Sequence, residues 1–206
     1  MKNILEIKNL YHAYNPEIST IKDFSFSLSK GEIVSIIGAS GIGKTTLLRI
    51  IAGLESIIDG EVIIKEQVVS KKNFILPPEK RNVGLVVEDR ALFPHLNVEK
   101  NVMFGIRHLQ ERNSLAHEYL SLFKVADLGK KYPHEISAGQ QQRVAFARTL
   151  ITDPDILLLD EPFGALDKNL KTELHLETKK IFKDKGMSVL LVTHDQEEAE
   201  YFSDRV

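Results

Sequence analysis

The chain has no cysteine, which excludes disulfides and thiolate metal sites and fits a reducing compartment. It lacks any uninterrupted apolar run near the roughly 18 residues needed to cross a bilayer, so membrane contact is expected only through a partner. It also lacks a dominant charge. Lys plus Arg is 27 and Asp plus Glu is 29, a net charge of -2, so there is no electrostatic footprint for nucleic acid and none is expected as a partner. His12, His95, His108, His117, His134 and His175 show no metal-ligand spacing. Glu6 stands where a signal peptide would have its apolar centre, so export is not expected. Internal repeats, low-complexity tracts and evident linkers are absent too. The 206 residues therefore suit one globular unit, with a lobe inserted in it.

What is present begins with Gly38-Ala39-Ser40-Gly41-Ile42-Gly43-Lys44-Thr45-Thr46, after the apolar stretch Ile33 to Ile37 and before the helix-like run Leu47 to Ala52. Strand, glycine loop and helix start follow one another at the spacing G-x-x-x-x-G-K-T. Glycines let successive N–H groups turn inward on an anion, and the helix start adds its positive dipole end. A nucleotide's phosphates fit such a cradle, with Lys44 reaching the β- and γ-phosphates and the Thr45 hydroxyl holding Mg²⁺.

Before this loop, Ile4 to Leu10 and Phe24 to Leu28 alternate as half-buried strands of a small antiparallel sheet. Between them Tyr11 to Pro16 reads as a turn, in which Tyr14 either stacks on an adenine face or covers a strand edge. Glu61 to Ile64 reads as a strand, Leu76 to Arg81 as an exposed loop, and Val83 to Val87 as a short buried strand ending at Glu88. Ala91 to Val98 is an apolar loop that invites a partner, and Asn97 caps a helix running to about Ile106. From Asn113 an amphipathic helix is expected to bury Leu115, Tyr119, Leu122 and Phe123. A further helix starts at Ser137 and stops near Asp153-Pro154. The buried strand Ile156 to Leu159, a charged helix with Leu170, Leu174, Ile181 and Phe182 inward, the strand Ser188 to Val192 and a helix from Gln196 to Phe202 complete an α/β order.

Asp160 and Glu161 follow the Ile156 strand at its carboxyl end, where ligands of open α/β sheets bind. Asp160 suits Mg²⁺ through its water shell, and Glu161 suits activation of an attacking water. Ser137-Ala138-Gly139-Gln140 matches S-x-x-Q, a capping box whose helix end also offers free N–H groups to an anion. His194 ends the Val189 strand on the same sheet edge as Asp160.

Together these residues closely resemble the nucleotide-binding subunit of ABC transporters over essentially the whole chain. Gly38 to Thr45 matches Walker A, Ile136 to Gln140 the family signature, Ile156 to Glu161 Walker B, Ala165-Leu166-Asp167 the D-loop, His194 the switch histidine and Tyr14 the adenine-stacking aromatic. The resemblance implies a P-loop NTPase with a RecA-like core sheet, an N-terminal antiparallel β subdomain and an inserted helical subdomain. Residues 1–90 and 154–206 would form the catalytic core and 91–153 the helical lobe.

It further implies ATP and Mg²⁺, with Thr45, Asp160 and Glu88 on the metal and Glu161, His194 and Glu88 in catalysis. The nucleotide would lie on Tyr14, residues 38–46, and Ser137, Gly139 and Gln140 of a second copy in a head-to-tail dimer. Partners would be integral membrane permease subunits at the cytoplasmic face and, indirectly, a substrate-binding protein. Glu88 stands where the family usually has glutamine, and Ala138 where it has glycine. The carboxylate adds a like charge near Asp160 and Glu161, so altered turnover or coupling is expected. The chain ends at Val206, before strands that relatives carry. Residues 76–81, 91–96 and 140–143 look most like importers for ferric ion, polyamine, sulfate, sugar or thiamine. The stretch Val69 to Asn73 is most similar to the ferric subunits. The competing reading, a soluble ABC ATPase acting on DNA or ribosomes, fits less well. Ser137 minus Thr45 is 92 positions, room for a compact lobe and not for a long coiled coil.

Overall fold

The computed structural model describes residues 2–15, 17–164 and 166–206 and, for Lys168 and Asn169, the backbone alone. The chain forms two compact units. One comprises residues 1–85, 155–161 and 178–206, and the other 86–154 and 162–177.

The first unit holds both sheets. Alternation of apolar and polar residues makes β1 (Asn3–His12) and β2 (Ile21–Ser29) antiparallel partners, Ile7 opposite Phe26. β4 (Asp59–Ile64) flanks β1 on its other side, followed by β5 (Gln67–Lys71) and the two-residue β6 (Phe74–Ile75), giving the order β2-β1-β4-β5-β6. In the second sheet β3 (Ile33–Ile37) lies parallel to β9 (Ser188–Thr193), which lies parallel to β8 (Ile156–Asp160), with β7 (Val83–Val86) at the edge. Every residue of β8 and β9 is buried, as an aliphatic run covered on both faces requires. Helix α1 (Lys44–Ala52) buries Leu47, Leu48, Ile50 and Ile51 in the core formed by Leu5, Ile7, Leu10, Val62, Leu158 and Leu190.

The second unit is helical: α2 (Val98–Met103), α3 (Arg112–Leu122), α4 (Ala138–Leu150) and the first half of α5 (Lys168–Asp184). Its centre is aromatic. Phe123 stacks on Phe146 at 5.9 Å, and Phe146 packs on Phe163 at 5.8 Å. Helix α6 (Gln196–Phe202), in the first unit, packs against β3 and β9, and the chain's end bridges in parallel to Val34 through Arg205.

Several expectations change. Tyr11 and His12 continue β1, because each pairs across to a neighbouring strand, Tyr11 with Asp59 and His12 with Ile21; Pro16, the end of the expected turn, lies outside the described residues. The core face of α3 is Ala116, Leu120 and Phe123, with Leu115 and Tyr119 half-buried and Leu122 exposed. A spacing read from the apolar residues alone gave undue weight to Leu122 and none to the small Ala116. The loop Leu76 to Arg81 contains a 3-10 turn at Pro78–Lys80, and Arg81 is only 3% exposed. Its guanidinium donates to the carbonyls of Ile50, Ile51, Val69 and Leu76 and to the Ser70 hydroxyl. The expected strand Val83 to Val87 stops one residue earlier, at Val86. Strands β5 and β6 were not anticipated, since the turns around Glu66 and Asn73 adopt left-handed backbone without glycine.

Candidate active site

The glycine loop connects β3 to α1 and its conformation explains its composition. Gly41 (φ +83) and Gly43 (φ +105) take left-handed backbone that a side chain would strain. At Gly43 an added Cβ would also sit 3.0 Å from the Thr20 carbonyl, whereas at Gly41 it would meet nothing within 4 Å. Gly41 therefore lies at an open face, where a ligand can approach the backbone. Ala39, Ser40, Gly41 and Ile42 are exposed, Gly38 and Gly43 half-buried, Lys44 and Thr46 buried and Thr45 exposed.

Lys44 Nζ donates to the carbonyls of Gly38 (2.7 Å) and Ala39 (3.1 Å) and lies 3.5 Å from Glu161 Oε1. The other oxygen of Glu161 is 2.8 Å from His194 Nδ1. Lys44, Glu161 and His194 thus form one polar chain, read from the sequence as three separate signals. Glu161 follows β8 with φ +43, a region that non-glycine residues rarely enter, and its N–H is tied to the Val192 carbonyl of β9 at 3.0 Å. Strain of about 1–3 kcal/mol at such a residue persists where the surroundings over-determine it, and such residues cluster at active sites, ligand clamps and switch regions. Thr45 Oγ1 donates to Asp160 Oδ1 at 3.1 Å.

This oxygen-only pair fits Mg²⁺, a hard cation that binds through one or two carboxylates plus phosphate oxygens. Among the described residues no group of three or more His, Cys, Asp or Glu is placed to hold a metal ion. Tyr14 is 60% exposed; its hydroxyl lies 3.4 Å from both Thr46 Oγ1 and Glu55 Oε1, and its ring meets His12 edge-on at 4.6 Å. Tyr14, residues 38–46, Asp160, Glu161 and His194 all belong to the first unit.

The second unit holds the remaining residues. Ser137 Oγ accepts from Gln140 N–H while Gln140 Oε1 accepts from Ser137 N–H at 2.9 Å, a reciprocal cap at the start of α4. Gly139 is buried, and a Cβ there would stand 2.4 Å from Leu170 Cδ2, so glycine admits a close approach of α5. Asp167 Oδ1 caps α5 by accepting from Leu170 N–H at 3.1 Å, and Ala165 lies outside the described residues. Glu88 is exposed in a turn after β7. Sequence reading missed Arg148 of α4 and Asn101 of α2, which hold that turn and the apolar loop after it. The acceptors of Arg148 are the backbone carbonyls of Arg90 and Ala91. Asn101 is fully buried and donates to the carbonyls of Phe93, Leu96 and Asn97. A buried amide four residues into a capped helix was the only available signal.

The model of the ABC transporter family matches residues 21–164. The Fe(3+) ions import ATP-binding protein FbpC 2 of Haemophilus influenzae is 42% identical over 98% of this chain and 58% of its own length. The spermidine/putrescine import ATP-binding protein PotA of Bacillus anthracis is 40% identical over 100% of this chain and 63% of its own. The chain therefore spans about six tenths of the length of these relatives. Among solved structures, the ATP-binding cassette MJ0796, a dimer in a post-hydrolysis state bound to ADP and Pi, superposes with a TM-score of 0.82 at 32% identity, covering 96% of this chain and 91% of that one. The cbiO1 protein of Clostridium perfringens, part of the ABC transporter complex cbiONQ, gives 0.87 at 25% identity, covering 99% and 83%. Glycine loop, strand-end carboxylate pair, capped signature turn and these matches agree: the chain belongs to the ABC transporter family.

Proposed function

We propose that the chain binds and hydrolyses ATP as the peripheral motor of a membrane importer whose cargo is ferric iron. The observation that carries the enzymatic part is the chain Lys44–Glu161–His194 beside the Thr45–Asp160 pair. A γ-phosphate competes for the Lys44 ammonium that Glu161 Oε1 now faces, and its arrival leaves that oxygen able to accept a proton from an attacking water. His194, on Oε2, keeps the carboxylate oriented while this happens. Thr45 and, through the metal's water shell, Asp160 would hold Mg²⁺, which would supply charge neutralisation at the phosphate oxygens. Tyr14 offers an exposed ring for the base. The family resemblance adds Glu88 as a further carboxylate for the metal and the water. Ser137, Gly139 and Gln140 would meet the nucleotide of a second copy in a head-to-tail dimer, at the cytoplasmic face beneath a permease; that the neighbour described above is a dimer supports a second copy.

The ferric reading rests on the 42% relative named for Fe(3+) import and on the stretch Val69 to Asn73. A polyamine importer is the second reading, favoured by the 40% relative that the chain matches along its whole length. The test is uptake of labelled ferric iron, spermidine and sulfate in cells whose own copy carries Glu161→Gln. Loss of iron uptake alone supports the proposal. Loss of spermidine uptake alone replaces the cargo, and normal uptake of all three overturns the importer reading.

A further inference from the structure

The turn that carries Glu88 is built against the rules of backbone preference. Arg90 (φ +62) and Ala91 (φ +43) are consecutive residues in the left-handed region, and neither is glycine or asparagine. Each costs about 1–2 kcal/mol relative to right-handed backbone. Such a pair persists only where something outside it fixes the conformation. The carbonyls of these same two residues accept from the Arg148 guanidinium, Nη2 to Arg90 O at 3.1 Å and Nη1 to Ala91 O at 2.7 Å.

The guanidinium also lies over the Phe93 ring, 5.4 Å from its centre. Burial lowers the Arg148 pKa, and the nearby Asp89 carboxylate opposes the shift. Asp89 Oδ1 in turn accepts from Ala91 N–H at 3.1 Å, and Arg90 N–H reaches back to Val87 O at 2.9 Å. On the far side, Asn101 takes both the N–H and the carbonyl of Phe93. The backbone after Glu88 is thus gripped at two points, and Arg148 is the one that grips its strained pair.

We propose that Arg148 is the positioning residue for Glu88: by capturing the Arg90 and Ala91 carbonyls it holds the turn in its left-handed form and so sets where the Glu88 carboxylate is presented. The proposal rests on the placing of Glu88 at the metal and water. Lysine keeps the charge but is a point donor, which cannot bridge two carbonyls while stacking on a ring.

The test uses the full chain with Arg148→Lys, Glu88→Ala and the double variant. It measures amide exchange, turnover against ATP and against Mg²⁺, and affinity for a fluorescent ATP analogue. Arg148→Lys is expected to raise exchange at Ala91 and Phe93 at least tenfold while the amides of α4 stay protected. Turnover should fall about tenfold with a changed Mg²⁺ dependence and an unchanged KM for ATP. In the Glu88→Ala background, Arg148→Lys should change turnover less than twofold. A merely structural role would instead make the two effects multiply, and that result, or unchanged exchange at Ala91, overturns the proposal. If the unsubstituted chain hydrolyses no ATP, the enzymatic reading fails, while exchange still decides whether Arg148 holds the turn. Should Arg148→Lys not fold, Phe93→Leu removes the stacking partner and keeps both hydrogen bonds, with exchange expected to rise in the same direction.

Discussion

At the scale of single residues, the buried Arg81 does work that its neighbours in sequence do not announce. Among the described residues Arg81 has no carboxylate partner in its hydrogen bonds; the five bonds it makes there go to four backbone carbonyls and one hydroxyl. Two of those carbonyls, Ile50 and Ile51, lie in the last turn of α1, the helix that opens at the glycine loop, and Ile50 O also accepts from Gly53 N–H at 3.1 Å. Burial pushes the guanidinium down to about 10, still cationic at neutral pH. Arg81→Met removes all five of these hydrogen bonds from a buried site, although Ile50 O and Val69 O keep the N–H groups of Gly53 and Leu76. It is expected to destabilise by about 3 kcal/mol, a fall in melting temperature of about 6–12 °C in thermal unfolding. An unchanged melting temperature would refute the role.

At the scale of elements, the helical unit is tied across α3, α4 and α5 by charge. Arg143 of α4 bonds Glu173 at 2.9 Å and also Glu177, both on α5, and Lys124 joins Glu177 from the end of α3. Burial pushes the Glu177 carboxyl up, but the hydrogen bonds from Lys124 and Arg143 outweigh it, so its folded pKa lies below 4.5. A lowered carboxylate pKa contributes stability that is present above the unfolded value and lost as pH falls through the folded one. Glu177→Gln should therefore lower the melting temperature by about 2–4 °C at pH 7, for about 1 kcal/mol in a partly exposed network. The gap should close in a melting series taken down through pH 4. The elements themselves were largely legible. Continuous aliphatic runs gave β8 and β9, and S-x-x-Q gave the cap of α4. What misled was the apolar pattern of α3, because Ala116 is as buried as any leucine there.

At the scale of the whole molecule, the proposed motor depends on one carboxylate, Glu161, for turnover and not for binding. With Glu161→Gln, Lys44 keeps its loop carbonyls and Thr45 keeps Asp160, so binding survives while proton transfer to the side chain is lost. Turnover is expected to fall at least 100-fold with ATP affinity within about threefold. Gel filtration should show an ATP-dependent dimer that the unsubstituted chain forms only transiently in Mg²⁺. A monomer under all conditions would argue against ATP held between two copies.

The sequence by itself determined the phosphate loop, the strand-end carboxylates and the helix caps, because each is a local constraint. Glycine is needed at a positive φ, a cap must lie three residues from its partner, and a doubly covered strand must be apolar throughout. Only the tertiary structure decided that Lys44, Glu161 and His194 touch, that Arg81 closes the loop helix, and that Arg148 holds the turn of Glu88. The acceptors of both arginines are almost all backbone carbonyls, and a carbonyl is carried by every residue alike. No residue type marks which of them a distant guanidinium will reach.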